Sequence, residues 1–236
     1  MENFGTTNPT AKRDVTNEAF AVLLKNVYAW MTLALGITGI AALYVSNNQV
    51  ILAYLFEHMG LVFGLMIGEL VLAIIFTACF KRMSFNVASI LFGLYALFTG
   101  ISLGMVFLTF TSESIASTFF VTAGTFGAMS LFGYFTKREL SAWGRYLLMA
   151  LIGLVIATVV NIFMQSTKLM WITTYAGVLI FVLLTAYDTQ KIKGMLANSE
   201  EVNEHSLKLA LYGSFMLYLD FINLFLDLLK IMGKRK

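Results

Sequence analysis

The chain has 236 residues, of which 59% are hydrophobic and 12% charged, with a formal net charge of +3 and a mean hydropathy of +0.81. Soluble domains carry about 45–50% apolar and about 25% charged residues, so this composition excludes a soluble globular protein. The small positive excess sits in short connections, where it sets topology, and gives no support to nucleic-acid binding.

Residues 1–25 are polar and mixed in charge, without an apolar core near the start. They read as a cytoplasmic N-terminal tail, and a cleaved signal peptide is not expected. Seven apolar runs follow, each long enough to cross a hydrocarbon core of about 30 Å. They cover residues 27–45, 61–80, 85–107, 115–135, 146–163, 169–186 and 207–231. No alternating β-barrel pattern occurs, so the spans are helices, whose backbone groups are satisfied internally. The run 50–56 is too short to span; it extends the second helix or lies at the interface. The fold class is an all-α membrane protein with seven transmembrane helices, a membrane domain over 26–231 and a basic tail over 232–236.

Basic residues fix an orientation. Lys12, Arg13 and Lys25 precede the first span, and Lys81 and Arg82 follow the second. Lys137, Arg138 and Arg145 follow the fourth, and Lys191, Lys193 and Lys208 the sixth. The alternate connections are nearly bare, with only Lys168 among them, so the N-terminus is expected in the cytoplasm. Lys230, Lys234, Arg235 and Lys236 run against this pattern. Either the last helix spans and carries them outside, or it is re-entrant and returns them.

Gly60, Gly64 and Gly68, and again Gly100 and Gly104, recur at four-residue spacing, the pattern that lets membrane helices pack closely within a chain. Pro9 is the only proline, so the broken helices of many transporters are not expected. Cys79, the single cysteine, allows no internal disulfide and reads as a buried thiol.

The last span carries Asp220, Asn223 and Asp227, which at i, i+3 and i+7 share one helical stripe. An ionisable side chain at mid-membrane depth costs roughly 2.5–3.5 kcal/mol on insertion scales, which points this stripe into the bundle. Asp188 lies at the cytoplasmic end of the sixth span. It meets Asp220 only if the sixth helix continues past 186 or the seventh starts later than 207. Two carboxylates that do meet in low dielectric cannot both ionise cheaply and titrate as a unit. Against this stand plainer readings: Asp188 capped by Lys191 at the interface, and Asp220 as a structural hydrogen-bonding group. Asp227, beside Lys230, reads as a terminal ion pair, and Asn223 as a contact between helices; with Glu69, both are also candidates for a pore or polar network. Glu69 is the other deeply placed acid, a candidate for a polar pathway or for pairing with a donor inside the bundle. Lys81 and Arg82 are candidate cationic partners for Asp188.

Enzyme chemistry finds little support. His58 and His205 are far apart, no resident metal cluster is spelled out, and no nucleophile elbow occurs. Tyr187-Asp188 and Asp220 suggest an intramembrane aspartyl protease. The residues before Asp220 are Leu217, Tyr218 and Leu219, however, without the glycines of that family, and no proline follows. No enzymatic activity and no cofactor are expected.

Several strings resemble the Bax inhibitor-1 family, and its bacterial branch most closely. They are Ile115-Ala116-Ser117-Thr118-Phe119 through Gly124 to Gly127-Ala128-Met129-Ser130, Thr136-Lys137-Arg138-Glu139-Leu140-Ser141, Leu184-Thr185-Ala186-Tyr187-Asp188-Thr189-Gln190-Lys191, and residues 217–225. The likeness runs from about Asn26 to the end. It implies six helices wrapped around a central C-terminal seventh. It also implies a pH-sensitive calcium leak, with calcium as the permeant ion and transient calcium contact at an aspartate pair matching Asp188 and Asp220. In some relatives a basic residue joins that pair; here Phe80 stands at that position, followed by Lys81 and Arg82. Glu69 matches an acidic position of some relatives. The alternative is a non-conducting regulatory protein that binds a membrane protease or another membrane partner. Eukaryotic relatives sit in internal membranes, whereas the short termini here fit a multi-pass protein of a bacterial inner membrane. A monomer is expected.

Overall fold

The computed structural model describes residues 9–197, 199 and 201–236, with side chains from Asn17 onward. The start of the expected N-terminal tail, the side chains of Lys12 and Arg13, and Glu200 lie outside the described residues. Among the described residues are eight α-helices: α1 Pro9–Asn47, α2 Gln49–Glu57, α3 Met59–Cys79, α4 Phe85–Thr109, α5 Ser112–Phe135, α6 Ser141–Met164, α7 Thr167–Ala197 and α8 Glu204–Met232. All but α2 are long and apolar enough to cross a membrane. The chain is an all-α multi-span membrane protein.

Short polar residues start several of these helices where the sequence breaks. Asn48 accepts from Val50 N and Ile51 N and opens α2, so the short run 50–56 is a separate helix and not an extension of the next. Ser84 caps α4, Thr111 caps α5, and Asn203 with Ser206 forms a reciprocal capping box at α8.

α8 is the centre. Its most apolar window is 67% buried, against 6% for α3 and for α6. Four helices, α1, α4, α5 and α7, flank it, while α3 packs mainly on α4 and α6 on α7. The six-around-one arrangement therefore holds in two layers. The C-terminal end of α3 still touches the centre: the Phe76 ring lies 4.1 Å from Phe215, and Phe80 lies 4.6 Å from Tyr212.

The glycine stripes behave differently from one another. A Cβ on Gly100 would lie 2.6 Å from Ala41 Cβ and Thr38 O, and one on Gly104 would lie 2.6 Å from Val45 Cβ, so this pair seats α4 on α1. Gly60, Gly64 and Gly68 meet nothing within 4 Å. Their expected role in packing within the chain is not found, because α3 is peripheral and turns this stripe outward. Cys79 is likewise exposed, on the outer side of the same helix, and not a buried thiol.

The last helix is continuous and not re-entrant. It begins beside the end of α7 and finishes at the opposite face, beside the α4–α5 connection. There Thr111 N donates to Lys234 O (3.0 Å), Lys236 N to Thr109 O (3.1 Å), and Lys234 N to Ser114 Oγ (2.9 Å). The resulting bridge between Phe110 and Arg235 is the single β-type pairing among the described residues.

Candidate functional site

α7 does not stop at residue 186. It continues to Ala197, and Asp188 lies well inside it. Beyond Ala186 the helix has a buried stripe of Asp188, Ile192 and Leu196 at i, i+4 and i+8, which keeps it packed after its outer face turns polar. Asp188 is 9% exposed and Asp220 4%.

Two contacts give the register of the α7–α8 hairpin. Gly213 lies against Ile192, and Gly177 against Asp227 Oδ2. Interpolating between them puts Asp220 level with Leu184 and Thr185, one helical turn from Asp188. A turn is about 5.4 Å of rise. The two carboxylates are thus brought into electrostatic range of each other, without a hydrogen bond between them. Asp220 Oδ2 is fully buried and has no hydrogen-bond partner.

Asp188 is held by neighbours that clamp α7. Ala186 O lies where a Cβ of Gly133 on α5 would fall, and the Tyr187 ring covers Gly144 on α6. Thr189 Oγ1 donates to Thr185 O (2.7 Å) and reaches Ser130 Oγ (3.4 Å), with the Tyr28 hydroxyl alongside. Gln190 accepts from Leu140 N (2.7 Å) and donates to Arg138 O (2.9 Å), and Lys193 donates to Tyr134 O (2.7 Å). Residues 186–193 therefore fasten the α5–α6 connection, and Asp188 lies on the same buried stripe as Ile192, which packs on α8. Sequence reasoning missed Gln190 and Lys193, because polar residues after an apolar run read as loop.

The expected cationic partners are not at the pair. Lys81 and Arg82 are exposed and make no ion pair among the described residues. The end of α3 points them into solvent, and Phe80 is the residue turned inward. Lys208 of α8 lies over the Phe80 ring (5.2 Å) and donates to Lys81 O (3.2 Å) and Met83 O (2.6 Å). Lys191 is within electrostatic range of both aspartates, but it is exposed, sits over the Tyr187 ring and forms no salt bridge with Asp188. The reading of Asp188 as an interfacial carboxylate capped by Lys191 is not what the geometry gives.

The rest of the stripe divides. Asp227 pairs with Lys230 at 2.9 Å, one turn along the same helix. Asn223 donates to Leu219 O (2.8 Å) of its own helix, so no contact between helices is made through its amide nitrogen. The extra i−4 acceptor on α8 satisfies that donor locally.

Glu69 accepts a hydrogen bond from Ser102 of α4. Behind it Tyr218 OH and Thr38 Oγ1 are 2.6 Å apart, and Thr38 also donates to Ala96 O (2.9 Å). Glu69 is within electrostatic range of Tyr95 and Tyr218, which forms a second polar cluster away from the aspartates. Ser102, Tyr218 and Thr38 carried no sequence signal, since single hydroxyls are common inside membrane helices. Among the described residues no three of His, Cys, Asp and Glu converge as a metal site.

Residues 21–236 match the family model described as inhibitor of apoptosis-promoting Bax1. The chain belongs to the Bax inhibitor-1 family. It is 48% identical over 214 residues to inner membrane protein YbhL of Escherichia coli (strain K12), covering 90% of this chain and 92% of that protein. It is also 42% identical to the uncharacterized protein RP147 of Rickettsia prowazekii (strain Madrid E), covering 98% and 97% of the two chains. An uncharacterized protein of Borreliella burgdorferi is 38% identical, over 94% and 98%. In this Bax inhibitor-1 family chain, two of the strings that carry the resemblance, 136–141 and 184–191, are joined directly by the Gln190 hydrogen bonds.

Proposed function

We propose that this protein is a pH-sensitive calcium leak of a bacterial inner membrane, with the N-terminus in the cytoplasm and Asp188 and Asp220 as sensor and gate. The observation that carries this reading is the pair of buried carboxylates on adjacent turns of α7 and α8, with Asp220 Oδ2 lacking any partner. Two carboxylates this close in low dielectric share protons and titrate together. With a proton on the pair, α7 and α8 stay packed. When both are ionised they repel, α8 shifts from α7, and a path lined by carboxylate oxygens opens. Such oxygens suit calcium, which takes hard oxygen ligands. Two carboxylates alone bind it weakly, as release at the far side requires. A cavity of about 380 Å³ is bounded by Phe80, Lys208 and Tyr212, and Tyr212 is within electrostatic range of Asp188. Asp227, with its own cation, and Glu69, with Ser102, are secondary polar groups in this scheme.

Proteoliposomes loaded with a calcium dye test it. Wild-type leak should rise as pH rises and the pair loses its proton. Asp220→Asn and Asp188→Asn should each flatten that response. An unchanged pH profile in Asp220→Asn would remove the pair from the mechanism.

A second reading has one observation in its favour. The open Gly60–Gly64–Gly68 stripe on α3 is a face on which a partner helix could pack closely, as a regulatory protein bound to a membrane protease or other membrane partner would need. A stoichiometric partner in mild detergent together with no calcium flux would favour it.

A further inference from the structure

An apolar cleft runs from the C-terminal end of α8 to Phe221 and Ile222, and neither the gate nor the α3 stripe uses it. It lies between α1 and α5, which scarcely pack on one another, and its volume is about 400 Å³. Leu43, Leu103, Ile115, Phe119 and Ile222 form its walls. Gly39 leaves it open on the α1 side, since a Cβ there would meet nothing within 4 Å. Lys236 stands at its edge, with Nζ 3.4 Å from Phe107 O.

The cations at this edge are fixed in place. The backbone pairing of 109–111 with 234–236 and the bond from Lys234 N to Ser114 Oγ hold the basic tail beside the first turn of α5. Lys234, Arg235 and Lys236 are exposed, and among the described residues none forms a salt bridge, although Glu113 is close in sequence to Ser114. The connections at this face, 48–58 and 110–111, contain no Lys or Arg. Lys234, Arg235 and Lys236 are thus held together at this face, with Lys236 at the mouth of a cleft with an apolar wall; the other cations there are Lys168 at the start of α7 and Lys230, which is paired with Asp227.

We infer that this cleft binds one anionic phospholipid, with an acyl chain against Leu43, Ile115 and Phe119 and the phosphate at the Lys234–Lys236 tail. The size fits the roughly 300–1,000 Å³ of small-ligand sites and is too small for a partner helix. Basic clusters at a membrane surface attract anionic headgroups, and a neutral lipid would leave these cations unused. The inference is independent of the gate and of the orientation of the chain. A second cleft, walled by Ile40, Leu65 and Leu97, is apolar throughout and has no cation at its edge, which makes it an internal control.

The test uses the full chain in mixed micelles with photoactivatable phosphatidylglycerol or phosphatidylcholine of identical acyl chains. Phosphatidylglycerol should label peptides containing Leu43 or Phe119 about fivefold more than phosphatidylcholine, the effect of roughly one well-placed cation. The second cleft should label equally with both. K234Q/R235Q/K236Q should remove the preference and leave phosphatidylcholine labelling as it was. Gly39→Leu should abolish labelling of the first cleft by both lipids while the second cleft still labels, which also reports that the variant is folded. Equal labelling of the wild-type first cleft by the two lipids, or labelling that survives Gly39→Leu, would overturn the proposal.

Discussion

α8 and α3 are both apolar enough to span a membrane, yet one is the core of the bundle and the other its rim. The more hydropathic helices, α3 and α6, lie outside, and the less hydropathic α8 lies inside. In water the order would be reversed. In lipid no hydrophobic force drives helices together, and the interior is where hydroxyls and carboxylates find shelter. Burial in this protein therefore follows polarity and small residues, and the contrast can be pressed by substitution.

The largest effect is expected at the helix crossings. Gly133→Leu would drive a side chain into Ala186 O between α5 and α7, where backbone cannot yield, and no folded protein should survive size-exclusion chromatography. Gly64→Leu on α3 meets open space and should elute as wild type. Next comes the aromatic centre. Phe215 lies against Phe76, Phe92 and Tyr95 with ring centroids 4.1–5.4 Å apart, and Phe215→Ala should cost roughly 3–5 kcal/mol in detergent unfolding. Phe163→Ala, on the exposed side of α6, should stay within about 0.5 kcal/mol of wild type. The smallest effect belongs to Tyr218→Phe. Losing the hydroxyl paired with Thr38 should cost about 1 kcal/mol, whereas Tyr146→Phe at the rim should cost nothing measurable. Equal losses at centre and rim in any of these pairs would mean the two-layer arrangement is wrong.

Much of the bundle was legible in the sequence, because length and apolarity mark spans whatever their position. The Asp220 stripe pointed inward for a sound reason, and its helix is the central one. Reading α7 as ending at 186 failed because hydropathy registers the membrane edge and not the helix end. The Asp188, Ile192, Leu196 periodicity was present in those residues and carries the helix on to Ala197. The two glycine stripes could not be told apart, since identical spacing serves a buried face on α4 and an open one on α3. Lys81 and Arg82 drew attention as charges, while Phe80 beside them holds the inward position. The hydrogen bonds of Gln190, Lys193 and Lys208 run to carbonyls and amides of other segments, and no local pattern encodes such partners.

The central helix is tied down at both ends. At its start Lys208 holds the carbonyls of Lys81 and Met83, and at its finish residues 234–236 pair with 109–111. A rod pinned at both faces cannot travel along its own axis without breaking bonds at one end and crowding the other. Piston motion is therefore closed to α8. What stays open to it is bowing at its middle, where Asp220 sits between the two anchors.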